Sequence, residues 1–521
     1  RLYDPLTGSA DGSGRQEFAG AAIPASRISS ISKKLIALLP APNLAGTSAN
    51  LFVSAPLNFS KNNYDLKVNW NPSSRAGLFG RYSQFGYTLE DQHVLGQAGG
   101  TGAASGFPGD DGGTVRSATL GGTYTVTPSF LIDGHAGYTR QVQLGQDKFY
   151  GINVGLDVLG IPGTNGPDIR QSGFPGFSVS SYEGFGNPVT SSPRFRWDNQ
   201  FQYAANAGWT RGAHNLRGGW ELARQAMNRF QPQSGFGPRG GFSFAGGVTA
   251  LRGGTAPNQF NSWGAFLLGL PSSLGKSLQT LNPGCTRQWI DSLYFRDQWH
   301  ASRNLTINLG LRWEYYPMVT RDHRGIERYD PAINKVLVGG VGQVPQDTGV
   351  KVSKKLFAPR VGIAYRFGSK LVLRAGYGIS IDPYSVARPL FEAYPLVITS
   401  TYNAANTYVA AGSLEKGIPP MPPLDLGNGI IDLPGTVADT TIEQNFRRGY
   451  IQSFNFTVQR ELPFGFTGQA GYVGTRSIRQ SALININAAA PGGGAAGQPL
   501  MIRFGRSAAT RVHTPGFTSN Y

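Results

Sequence analysis

The sequence predicts an all-β chain: part of an antiparallel transmembrane β-barrel, with short turns at one end and long loops at the other. Three observations carry that reading. They are a two-residue alternation of apolar and polar side chains, its recurrence along the chain, and a regular exchange of short with long connections. The alternation is strictest from Leu305 to Tyr315, where Leu305, Ile307, Leu309, Leu311, Trp313 and Tyr315 interleave with Thr306, Asn308, Gly310, Arg312 and Glu314. A period of two sends the two sets to opposite faces of a strand. At about 3.3 Å per residue and a tilt near 40°, such a strand rises roughly 28 Å, close to the apolar band of an outer-membrane barrel. Strands of soluble sandwiches are usually about half as long.

Taken in order, residues 1–61 read as a large external loop. Within it Ser26–Leu39 carries Ile28, Ile31, Leu35 and Leu38 at helical spacing behind Ser26, a suitable N-cap. Barrel strands and loops then fill 62–475. Tyr64, Leu66, Val68 and Trp70 share a face, as do Leu120, Tyr124 and Val126, then Phe130, Ile132 and Tyr138, then Phe195, Trp197, Phe201 and Tyr203. Val361, Ile363 and Tyr365 precede Leu371, Leu373 and Tyr377, and Phe454, Phe456 and Val458 precede Phe466, Ala470 and Tyr472. Tight connections with turn chemistry fall at Asn71-Pro72-Ser73-Ser74, Thr127-Pro128-Ser129, Arg211-Gly212-Ala213, Ala301-Ser302-Arg303, Gly368-Ser369 and Leu462-Pro463-Phe464-Gly465. Long Gly/Pro/Asn-rich ones occupy 88–113, 141–192, 317–355 and 382–448. Short periplasmic turns and long extracellular loops alternate in this way in outer-membrane barrels. The block 231–287 is expected to hide two more strands, near Gly241–Ala245 and Leu274–Leu281, with Trp263–Leu270 as a short periplasmic segment between them. That makes twelve strands, or fourteen with the hidden pair. Residues 476–521 read as an external loop leading to a further strand.

Composition agrees and excludes other classes. Hydrophobic residues make up only 40% and charged residues 15%, while Gly (72 residues) and aromatics (12%) are abundant, which suits twisted strands with interfacial girdles. The mean hydropathy of -0.23 is no argument against a membrane, because barrel strands give lipid only alternate residues. No apolar run is long enough for a transmembrane helix, and no secretory signal opens the chain. The lone Cys285, an incidental loop residue after Asn282-Pro283-Gly284, excludes an internal disulfide. The net charge of +17 is dispersed, so no nucleic-acid partner is expected; a solvated lumen and loops facing anionic lipopolysaccharide account for its sign. GLPSSLGKS (269–277) has one residue too many for a phosphate-binding loop. The six histidines are scattered, His135 being paired in register with Asp133, and Glu90-Asp91 and Asp110-Asp111 sit in loops. Neither catalysis, a metal site nor a cofactor is expected.

Several blocks carry a family resemblance. SLYFRDQWHASRNLTINLGLRWEYYP (292–317), KLFAPRVGIAYRFGSKLVLRAGYGISIDP (355–383) and YIQSFNFTVQRELPFGFTGQAGYVGTR (450–476) resemble barrel blocks of Oar-like TonB-dependent receptors. AIPASRISSISKKLIALLPAPN (22–43), WGAFLLGLPSS (263–273) and the stretch 50–83 do so too, in the same order. The resemblance implies a barrel of about 22 strands closed by an N-terminal plug, in the outer membrane of a Gram-negative bacterium. It also implies energised uptake of a large or scarce solute, with TonB–ExbB–ExbD acting through a plug region that is not in this sequence. The solute class stays open: a glycan, a peptide or a chelate. A non-transporting surface adhesion or envelope-organising barrel is the alternative, and a soluble sugar-binding β protein a third.

Within that frame the small and polar faces, such as the even-numbered one of Leu305–Tyr315, point inward. Arg312, Glu314, Arg360, Arg366 and Arg374 become candidates to meet the plug or a passing solute, a plug-facing salt bridge being the plainer role. Phe174, Phe177, Tyr182 and Phe185, interleaved with Gly and Pro, are candidates for ligand capture by stacking, with loop packing the plainer role. Outer-membrane lipid and lipopolysaccharide would surround the wall.

Overall fold

In the computed structural model, which describes residues 1–520 except 233–234, 384, 388 and 422, thirteen long strands form one antiparallel sheet in sequence order. They are β1 (Asn58–Ser73), β2 (Ala76–Asp91), β3 (Gly109–Thr127), β4 (Phe130–Gln146), β5 (Arg194–Arg211), β6 (His214–Phe230) and β7 (Gly284–His300). β8 (Leu305–Tyr315), β9 (Leu356–Phe367), β10 (Leu371–Ile381), β11 (Tyr450–Glu461), β12 (Thr467–Asn485) and β13 (Thr510–Asn520) follow. A short fourteenth, Asp439–Ile442, lies parallel along the outer edge of β13. The connections alternate without exception. Residues 74–75, 128–129, 212–213, 301–304, 368–370 and 462–466 turn tightly at one end, and 92–108, 147–193, 231–283, 316–355, 382–449 and 486–509 span the other. In the two-residue turn after β5, Gly212 takes a left-handed φ of 57°, which a side chain would strain.

The register shows that the apolar faces of separate strands form one surface. Trp70 lies opposite Leu78, Leu78 opposite Gly122, Gly122 opposite Gly134 and Gly134 opposite Ala205. The row continues through Trp220, Leu293 and Trp313 to Phe357. These side chains are left open: Leu120 is 71% exposed, Leu311 48% and Tyr472 63%. In water such a surface would be untenable, but against hydrocarbon it is what a spanning sheet requires. Asp291 and Asp297 share that face, one level with Tyr315 at the external end of β8, the other three residues from the end of β7 and bonded to His214 Nδ1 at 2.7 Å.

The long connections fold into a cap. Its five-stranded sheet runs Val397–Asn403, Ser273–Gln279, Gly241–Phe244, Gly176–Val179, Phe185–Gly186. This corrects the expectation of two hidden wall strands. The segments near Gly241–Ala245 and Leu274–Leu281 are strands, but at four and seven residues they are too short to cross a membrane, which takes about nine to eleven. They pair with each other in the cap (Leu274 opposite Phe242), and both residues are buried. Trp263–Leu270 is likewise no periplasmic segment. Helix α2 (Gln259–Leu267), capped by Asn258, sets Phe266 into the cap core.

Residues 1–57 belong to the same body: Tyr3 N donates to Thr249 O, and the Arg15 guanidinium donates to Val248 O, Ala250 O and Tyr408 O at 2.8, 2.9 and 2.6 Å. Helix α1 (Ser30–Leu38) buries Ile31 and Leu35 as the spacing predicts, but Ser29 caps it, accepting from Ser32 N, while Ser26 sits in a preceding 3-10 turn. At the other end of the chain, 476–521 is not simply a loop. β12 continues to Asn485, and Thr510–Asn520 is itself a wall strand; Tyr521 lies outside the described residues. Cys285 is not a loop residue but the buried second residue of β7, accepting from Asp322 N.

Candidate functional site: the inward face and the cap above it

The face opposite the apolar surface is polar, and its charges are tied together across strands. On β4–β7, Asp133 accepts from Asn206 at 2.7 Å and from Arg217 at 2.8 Å. Arg217 also donates to the Tyr294 hydroxyl, which donates to Asn206. Toward the cap, Arg312 donates to Glu221 and to Glu314, each at 2.7 Å, and the Tyr316 hydroxyl donates to Glu314 at 3.1 Å. The Arg448 guanidinium covers the Tyr316 ring at 4.0 Å. Burial, followed by the Glu314 charge, pushes the Tyr316 phenol up to about 12, so it stays protonated and keeps its proton to donate to Glu314. These pairs are partly exposed and each is worth about 0–1 kcal/mol, so they orient side chains more than they stabilise the wall.

Of the residues singled out from the sequence, Arg312 and Glu314 are direct partners. Arg374 donates to Gln459 at 2.8 Å, and Arg366 reaches the Arg303 carbonyl at 3.3 Å beside the opposite turns. Arg360 shares the inward face, but its side chain makes no hydrogen bond or ion pair with any other described residue. It faces Arg296 across Gly310, whose missing side chain leaves the space between them open. Sequence reasoning missed Arg296, Arg217, Glu221 and Tyr294. Once Leu216, Trp220 and Leu222 are placed outward, the same alternation puts Arg217 and Glu221 inside. The expected Asp133–His135 pair does not form: the Asp133 carboxylate is taken by Asn206 and by both-oxygen contact with Arg217.

Three of the four loop aromatics take the plainer role, packing inside the loops, and Tyr182 stays half-buried. Phe174, Phe177 and Phe185 are 1%, 0% and 2% exposed and form the cap core, with Phe177 stacked between Phe185 and Phe242 at 5.5 Å on each side. Tyr182 packs on Trp263 at 5.0 Å. Gly and Pro between these rings let backbones approach and the rings stack inward; no solute reaches the three phenylalanines while the cap is folded. Four of the cap's buried charges are held by carbonyls or close counter-ions. The Arg239 guanidinium donates to the carbonyls of Phe174, Val189 and Ser192, and burial lowers its pKa to about 10. Lys276, inside the GLPSSLGKS segment, is buried in a cap strand with its amine on the Asn165 carbonyl and a pKa lowered to about 8. Arg321 and Glu327 pair at 2.6 Å with both side chains at 0% exposure. Burial instead raises the Asp439 carboxyl to about 6. Among the described residues no three His, Cys, Asp or Glu side chains converge as metal ligands.

Comparison with solved structures gives distant likenesses. The ferric enterobactin receptor PfeA of Pseudomonas aeruginosa is 9% identical with a TM-score of 0.45, over 92% of this chain and 51% of that one. The outer membrane transporter YddB of Escherichia coli is 10% identical at 0.41, over 90% and 51%. The FrpB iron transporter of Neisseria meningitidis is 10% identical at 0.42, over 89% and 49%. The chain thus spans about half the length of these proteins. No curated protein sequence matches it. Residues 1–521, its whole length, match the family model of the outer membrane beta barrel domain, and the chain belongs to that family of the Gram-negative outer membrane.

Proposed function

We propose that this chain is the wall and loop cap of an Oar-like TonB-dependent receptor that takes up a large or scarce solute. The observation that carries the reading is the contrast between the two faces of one sheet. The outward face carries an apolar band that runs from strand to strand, with its few charges toward the strand ends, whereas the inward face holds a connected set of charges beneath a folded external cap. A barrel that only displayed loops would need no such lining, while a barrel that passes solute or holds a plug does. Arg312, Glu314, Arg360, Arg366 and Arg374, joined by Arg296, are the positions proposed to meet plug or solute. The reading assigns no chemistry beyond binding and passage: the chain acts as no enzyme.

Deleting the gene and supplying candidate glycans, peptides or metal chelates as limiting nutrients tests it. Uptake of at least one should fall severalfold, and collapsing the TonB–ExbB–ExbD system in the parent should reproduce the loss. Unchanged uptake across the panel, with loss of cell adhesion instead, would favour the envelope-organising alternative.

A further inference from the structure

On the outward face, two arginines stand directly opposite one another: Arg116 of β3 pairs in register with Arg140 of β4. Both are exposed, and no carboxylate pairs with either among the described residues. Like charges facing across a ladder are destabilising, so the arrangement lacks an anion. It is nevertheless carefully held. Gln84 Oε1 accepts from Arg116 Nε at 3.2 Å and from the Tyr82 hydroxyl at 2.9 Å. On the other side, Asn199 Oδ1 accepts from Arg140 at 3.4 Å and from the Tyr138 hydroxyl at 2.7 Å. Each guanidinium is oriented by a neutral amide that is itself fixed by a tyrosine one row nearer the membrane centre, and each keeps free donors. A third cation, Arg224 of β6, is exposed on the same face two strands beyond Arg140 and lies over the Trp289 ring at 5.3 Å. Three strand spacings of roughly 4.8 Å make the array about 14 Å wide. The nearest acid on that face, Asp291, stands opposite Leu222, two residues below Arg224, and is in ion-pair contact with none of the three.

Their height says what the anion is. Arg116 lies eleven residues above the end of β3 at Thr127, Arg140 ten above Phe130 and Arg224 ten above His214. Ten or eleven tilted strand residues rise roughly 25–28 Å, the full apolar band, so all three sit at the external water–lipid boundary. Below them the face carries Tyr82, Ala118, Tyr138 and Phe201. Higher on the face, cations are already paired, Lys148 with Glu90 and Asp110 at 2.7 and 2.9 Å. Guanidinium forks match phosphate oxygens in shape as well as charge. We propose that Arg116, Arg140 and Arg224 bind the phosphate groups of a phosphorylated glycolipid in the outer leaflet, whose acyl chains lie on the aromatic face below. This depends on the outer-membrane location and not on the transport reading.

The protein extracted from outer membranes in mild detergent should retain such a glycolipid, quantified by mass spectrometry. Arg116→Gln with Arg140→Gln should lower the amount at least fivefold; Arg116→Lys with Arg140→Lys should keep a substantial part. Arg81→Gln, on the inward face of the same sheet, should change nothing. Added bisphosphorylated lipid A should raise the unfolding temperature of delipidated wild type, and dephosphorylated lipid A should not. Equal retention in the double Gln variant, an equal shift from dephosphorylated lipid A, or an equal shift from phosphatidylglycerol would each overturn the proposal. The wild-type shift decides the matter even where a variant fails to fold.

Discussion

The wall and the cap are built from the same chain by opposite means. β3 and β4 run paired from Asp110–Gln146 to Thr127–Phe130, and nearly everything that joins them is backbone hydrogen bonding, with both faces open. The cap has short strands and long irregular segments, but its apolar side chains are closed off: Phe177, Ile161, Val248 and Phe266 are all at 0% exposure. A spanning sheet leaves its burial to lipid and cannot leave a backbone group unpaired. A cap in water must carry its own core. The two should therefore fail under different insults.

The largest separation is expected from Phe177→Ala, which removes the ring stacked between Phe185 and Phe242 and should cost the cap about 3–5 kcal/mol. Limited proteolysis of whole cells should then cut the long loops while the wall keeps its heat-modifiable mobility on gels; loss of both together would deny the cap its independence. The converse change, Leu311→Arg on the outward face between Phe295 and Pro359, should cost the wall about 2–4 kcal/mol in bilayers. Asn308→Arg on the inward face of the same strand should cost little, and equal losses would put the wrong face toward lipid.

A third contrast is in pH. Asp439 is buried with its carboxyl raised to about 6, above its unfolded value, so its stabilising contribution is complete below about pH 4 and lost as pH rises through 6. Two pKa steps correspond to on the order of 2–3 kcal/mol. Hydrogen exchange of the Asp439–Ile442 strand and the β13 edge it lies along should slow between pH 7 and pH 4 by that amount relative to Asp439→Asn, with β1 to β10 indifferent to the change. The smallest effect belongs to the inward ion pairs: Glu221→Gln, which leaves Arg312 on Glu314 alone, should shift wall stability by under about 1 kcal/mol. Any role it has should emerge in uptake and not in melting.

These regions also differ in how far they could be read from sequence. In β8 the period-two pattern, the turn at Ala301–Arg303 and the inward placement of Arg312 and Glu314 were all legible, because a strand's side-chain directions depend only on residue parity. The inward side of β6 was equally available in principle, since Arg217 and Glu221 follow from Trp220 and Leu222. In the cap the same parity misled. Gly241–Phe244 and Ser273–Gln279 alternate like wall strands, yet they pair with each other, with Gly176–Val179 and with Val397–Asn403, the last more than a hundred residues away. The aromatics from Phe174 to Phe185 read equally well as surface or core, and their burial depends on Phe242 and Phe266 arriving from another loop.

What the sequence alone determined is most of the wall: twelve of its thirteen long strands, their faces and the end that bears the loops, with Thr510–Asn520 the strand it did not reveal. A ladder between successive strands needs only local pattern and short turns, and lipid imposes one hydrophobic face throughout. The tertiary structure alone decided the cap, the cross-strand partners of each inward charge, and the meeting of Arg116 with Arg140. Each of these depends on register or on contacts between distant segments, and neither is written in the order of residues along a single strand.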